Sequence, residues 1–129
     1  MSNKTSILLI SGKREQLQMA AMMASVGAVS GNDVTVFISM NALEYFTKNS
    51  DHNAPSEGPM GDLLVEKNAP KFMDLFTSAV ELGDAEIYPC SMAIDIMELK
   101  EEDLEEFLSK PLGLTKFLDD ASEGQVWTF

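Results

Sequence analysis

Ile7-Leu8-Leu9-Ile10, followed by Ser11-Gly12 and later by Val34-Thr35-Val36-Phe37-Ile38, decides the fold. Each apolar run has the length of a strand covered on both faces, as in a parallel sheet. Between them, Lys13 to Val29 is built from good helix formers (Glu, Gln, Leu, Met, Ala), and Gly31-Asn32-Asp33 makes the turn into the second strand. A buried strand, a helix and a buried strand in succession predict an α/β protein.

Working outward, Asn41 to Lys48 places Ala42, Leu43 and Phe46 at helical spacing. Residues 49–62, with Pro55, Gly58, Pro59 and Gly61, read as the one long loop. Ala69 to Leu82 is the clearest amphipathic helix, with Phe72, Leu75, Phe76, Ala79 and Val80 on one face and Gly83 placed for its C-terminal cap. Glu86-Ile87-Tyr88 is a short strand stopped by Pro89. Ser91 to Leu99 reads as a helix with Ile94 and Met97 on one face. Glu101-Glu102-Asp103 opens another, with Leu104, Phe107 and Leu108 inward. Thr115 is placed to cap a last helix carrying Phe117, Leu118 and Ala121, and Gln125 to Phe129 is a terminal strand. The expectation is one domain over residues 1–129, a three-layer α/β/α sandwich around a mostly parallel sheet of about five strands. Strand order is not legible.

Composition narrows the function. The 129 residues carry 9 Lys and Arg against 21 Asp and Glu, a net charge of −12. That balance argues against nucleic acid and against an anionic membrane surface. The single arginine, Arg14, excludes an arginine cluster. The single cysteine, Cys90, excludes an internal disulfide and Cys-rich metal sites, and the single histidine, His52, makes His-based metal or triad chemistry a poor fit. No metal or cofactor is therefore expected. Met1 to Ser6 leads into only four strongly apolar residues, too short for a signal peptide, and Leu17 to Val29 is too short to cross a bilayer. A cytoplasmic protein is the expectation.

In open parallel sheets, ligands bind beyond the carboxyl ends of the strands. Ser11-Gly12-Lys13 could hold an anion there, although Gly12 also serves as an ordinary tight turn. Cys90 follows a strand end and precedes a helix, a placement that favours the thiolate of a cysteine. The alternative is a packed cysteine acting as a small hydrophobe. Ser91 could cap the helix and orient Cys90, or be a plain N-cap, and Asp95 one turn on could be a surface charge. Met40, Met60, Met73, Met92 and Met97 could line a soft pocket or simply fill the core. On α-helical spacing, Leu17, Ala21, Ala24 and Ala28 form one stripe and Met19, Met22, Met23 and Val26 another, so the helix suits burial against the sheet and a subunit contact, each in part.

Cys90-Ser91-Met92-Ala93-Ile94-Asp95-Ile96-Met97, followed by Lys100-Glu101-Glu102-Asp103-Leu104, resembles the cysteine segment of the DsrE/DsrF/DsrH-like family, closest to its DsrE2-type branch, often labelled peroxiredoxin-like. Val36 to Leu43 resembles the family's second strand and turn, and Gln125 to Phe129 its last strand. The resemblance implies a small cytoplasmic oligomer that relays sulfane sulfur as a persulfide on Cys90, with Ser91, Met92 and Asp95 supporting and Gly12, Met40 and Asn41 as candidate pocket residues. It also implies partners of the TusA-like and rhodanese-like kinds. The sequence departs from the pattern at Pro89, at Glu98, in Leu112-Gly113-Leu114 and in Ser39-Met40-Asn41. The competing reading is a non-catalytic acidic interaction or redox-sensing module with a structural cysteine. A thiol peroxidase is disfavoured, because no Thr and Arg stand beside the cysteine in the chain.

Overall fold

In a computed structural model that describes residues 3–129, four strands form one parallel sheet in the order β3-β2-β1-β4. The first two residues of the N-terminal leader reading, Met1 and Ser2, lie outside the described residues. The elements are β1 (Lys4–Leu9), α1 (Arg14–Val29), β2 (Asp33–Ile38), α2 (Pro59–Glu66), α3 (Phe72–Gly83), β3 (Glu86–Pro89), α4 (Ser91–Ile96), α5 (Leu114–Ala121) and β4 (Gln125–Thr128). Two 3-10 segments, Met40–Phe46 and Glu101–Asp103, complete them.

β1 and β2 pair with Ile7 opposite Val36 and Leu9 opposite Ile38, while β2 and β3 pair with Val36 opposite Ile87. Alternation along a strand sends these fully buried side chains to one face of the sheet. Gly27 of α1 packs against Val34 on that same face, so the α1 and α3 layer covers it. On the other face Phe37 stacks on Phe117 of α5, ring centroids 4.9 Å apart. The sandwich is thus three-layered, as the alternation of elements predicts.

The sheet has four strands rather than about five. The place beside β3 is taken by residues 107–112, which give it two hydrogen bonds, from Ser109 N–H to the Ile87 carbonyl and from Leu112 N–H to the Pro89 carbonyl. Pro111 lies between those donors and has no N–H to extend a ladder. Along this segment the one bridge is that between Leu112 and Cys90.

Other local expectations shift. Asn41–Lys48 forms the tighter Met40–Phe46 turn. The end of the expected 49–62 loop is helical, because Pro59 occupies the first turn of α2, where a missing N–H costs nothing. The helix expected from Glu101 stops after Asp103, whose carboxylate accepts the Lys100 N–H, and Leu104 then bridges Thr47. Gly113 rather than Thr115 precedes α5, and Leu118 is exposed instead of inward. Ile94 is buried while Met97 is exposed.

Gly83 ends α3, but the left-handed cap is Asp84, at φ 57°. What Gly83 supplies is proximity: a Cβ there would stand 2.5 Å from the Ala28 Cβ and 2.6 Å from its carbonyl carbon. The buried Leu17, Ala21, Ala24 and Ala28 stripe meets α3 in this close crossing. The second α1 stripe stays outside, with Met19, Met22 and Val26 exposed and Met23 half-buried against the core.

The end of the 50–61 segment is held by one carboxylate. Glu15 accepts backbone N–H groups from Glu57 (2.8 Å), Gly58 (2.8 Å) and Gly61 (3.0 Å). The Glu57 bond, joined by those from Gly58 and Gly61 against some desolvation, lowers its pKa from 4.5 to about 2. A carboxylate depressed on folding contributes stability above its unfolded pKa and loses it as pH falls through the folded one. The ties should therefore weaken between pH 4.5 and about 2. Amide NMR of Gly58 and Gly61 in that window should report their release, and Glu15→Gln should show released amides already at neutral pH.

Candidate functional site

β3 ends at Pro89, and Cys90 stands between it and the first residue of α4. The Cys90 N–H donates to the Ile38 carbonyl at 2.8 Å, and its own carbonyl accepts the Ile94 N–H at 3.0 Å. On the opposite side Ser91 N–H donates to the Leu112 carbonyl at 3.0 Å. Cys90 is therefore fixed at the carboxyl end of the sheet, between the end of β2 and residues 112–113. The Ser39 N–H donates to the Leu9 carbonyl at 3.0 Å, so the ends of β1, β2 and β3 are stapled side by side.

This brings several expected residues to one edge. Gly12 follows β1 and packs against the turn after β2, where a Cβ would stand 3.0 Å from the Asn41 carbonyl oxygen and 3.3 Å from the Tyr45 ring. Met40 adopts φ 53° and is 56% exposed. Met92 is 54% exposed, and Asp95 points to solvent. Ser91 is half-buried, and no side chain caps the N-terminus of α4.

Cys90 itself is 5% exposed. Neither of the two cavities described reaches it, nor do Gly12, Met40 or Asn41 line them. The five methionines do not share a cavity: Met73 is buried and lines the larger one, while Met40, Met60, Met92 and Met97 are exposed and line neither. The Nε2 of His52 lies 3.4 Å from the Glu105 carboxylate. Among the described residues, no three His, Cys, Asp or Glu side chains gather as a metal-binding group, and no helix is long and apolar enough to cross a membrane.

Packed beside α4 and residues 112–113, the Cys90 side chain is 5% exposed in this arrangement. Leu112 bridges Cys90 on the side away from β2. Its signal was indirect, in the shortened Leu112-Gly113-Leu114 turn.

No curated protein matches the chain. Among solved structures, the ychN protein from E. coli superposes with a TM-score of 0.70 at 14% identity, covering 100% of both chains. A protein of unknown function, MTH1491 from Methanobacterium thermoautotrophicum, superposes with a TM-score of 0.64 at 7% identity, covering 98% of each. At such identities these likenesses establish the fold alone. The sequence model of the DsrE/DsrF/DrsH-like family matches residues 57–129, a stretch that holds β3, Cys90, α4 and β4, and the chain belongs to that family.

Proposed function

We propose that the protein is a sulfur carrier or sulfurtransferase that holds sulfane sulfur as a persulfide on Cys90. The observation that carries this reading is the position of the only cysteine: at the carboxyl end of β3, opening α4, inside the family-matched segment. In loading, the Cys90 thiolate attacks the outer sulfur of a donor persulfide or polysulfide. A new S–S bond forms on Cys90, the donor S–S bond breaks, and the donor thiolate leaves with the electron pair. In unloading, an acceptor thiolate attacks the outer sulfur and Cys90 leaves as thiolate. No net oxidant and no second cysteine are needed.

Cytoplasmic TusA-like or rhodanese-like proteins are the donors and acceptors in this reading. The exposed Met19, Met22 and Val26 stripe is the surface on which copies of the chain associate. In this reading Ser91 and Met92, which follow Cys90 in the chain, support the cysteine, and the exposed Asp95 one turn on adds negative charge.

A second reading has a specific observation in its favour. Cys90 packs in the core cluster at 5% exposure, as a structural cysteine in a non-catalytic module would. Alkylation kinetics separate the two. A carrier opens locally, so native Cys90 should react with iodoacetamide far faster than global unfolding permits, and the rate should be unchanged in mildly stabilising conditions. Modification only at the rate of global unfolding would leave the structural reading standing.

A further inference from the structure

We infer that the groove between α1, α3 and residues 48–53 is a binding site for a small zwitterion of the α-amino acid class, separate from Cys90. The cavity measures about 940 Å³ and has Arg14, Gln18, Lys71 and Phe72 in its wall. Arg14 is the one arginine of the chain and has no carboxylate within salt-bridge distance among the described residues. Its Nη2 donates to Asn53 Oδ1 at 2.7 Å, which leaves most of its five N–H donors open.

Gln18 lies one turn further along the same face of α1 and is only 7% exposed. Its Nε2 donates to the Pro70 carbonyl at 2.9 Å, and its Oε1, which accepts no hydrogen bond from the described residues, is not sealed from solvent. That bond also holds the start of α3 beside α1. No side chain caps this helix end, so its first N–H groups are free at the cavity wall with Lys71 next to them.

The donors and the acceptor together define the ligand. Arg14, Lys71 and the start of α3 match a carboxylate. The open Gln18 Oε1 matches an N–H donor close to that carboxylate. Asp51, Asp74, Glu81, Glu105 and Glu106 outnumber Arg14, Lys48 and Lys71 in the same lining, which favours a positive charge on that donor and opposes a dianion such as phosphate. Phe72, Met73 and Leu64 offer an apolar wall to a side chain.

An amide NMR titration of the full chain with L-phenylalanine tests this, with phenylpropanoate (no ammonium) and phenethylamine (no carboxylate) as comparators. Saturable shifts centred on Arg14, Gln18 and Phe72 are expected, with each comparator about tenfold weaker, the equivalent of one lost polar contact of about 1.4 kcal/mol. Arg14→Gln should weaken binding at least about tenfold. Lys71→Gln changes an exposed side chain without a fold contact, so it should weaken binding while leaving the spectrum folded even if Arg14→Gln loosens the 50–58 loop. Absence of saturable shifts, equal binding of either comparator, shifts centred elsewhere, or indifference to Lys71→Gln would overturn the inference.

Discussion

Phe46→Ala is expected to lower unfolding free energy by about 3–5 kcal/mol, read as a fall in the urea midpoint at unchanged slope. The ring is fully buried and makes edge contacts with Phe76 of α3, centroids 5.2 Å apart, and with Phe107, 6.4 Å apart. Its carbonyl also accepts the Glu105 N–H at 2.9 Å. One side chain therefore joins the Met40–Phe46 turn, α3 and the 104–107 segment. Removal leaves a cavity that three separate elements must close together, which places the cost at the upper end for a large-to-small change. Against the total stability of about 5–15 kcal/mol usual for a domain, that loss is a large fraction of the whole. Phe46→Leu retains most of the volume and should cost less than about 1.5 kcal/mol. A loss below about 1 kcal/mol for the alanine variant would mean the three elements do not share this core.

Cys90→Ser should abolish sulfur loading altogether, and Cys90→Ala should do the same. The pair distinguishes chemistry from folding. Serine puts a hydroxyl into a site with 5% exposure, where an unpartnered polar group costs about 1–3 kcal/mol, whereas alanine avoids that penalty. Equal loss of loading in both, with the alanine variant the more stable by urea titration, assigns the defect to the missing thiol. Loading that survives in either variant would place the sulfur elsewhere.

The parts of the fold that were legible share a physical origin. Val34 to Ile38 could hardly be anything but a strand, since β-branched and aromatic side chains in an uninterrupted run are covered from both sides, and all five are buried. α3 was equally plain, because Phe72, Phe76 and Ala79 repeat at the helical period and are all buried. The misread segments depend on partners far along the chain. α2 hides behind Pro59, whose breaker character at mid-helix becomes compatibility at the first turn. The Glu101 helix is cut short by pairing with Thr47, more than fifty residues earlier. Gly83 carries the signal of a cap but is required by the Ala28 backbone of another helix.

The candidate site divides in the same way. The place of Cys90 follows from local order: strand, proline, cysteine, helix. Its burial does not, because Leu112 and the end of β2 enclose it from distant positions. The Arg14 and Gln18 groove was out of reach for the same reason. Arg14 shows only as a lone charge until Asn53 and the start of α3 are brought beside it.

The most direct measurement is intact mass of the wild-type chain after incubation with thiosulfate or polysulfide, followed by peptide mapping. A persulfide carrier gains the mass of one sulfur atom, removable by a thiol and located on the peptide containing Cys90. An unchanged mass, in a sample whose Cys90 thiol still titrates fully after unfolding, would contradict the carrier account.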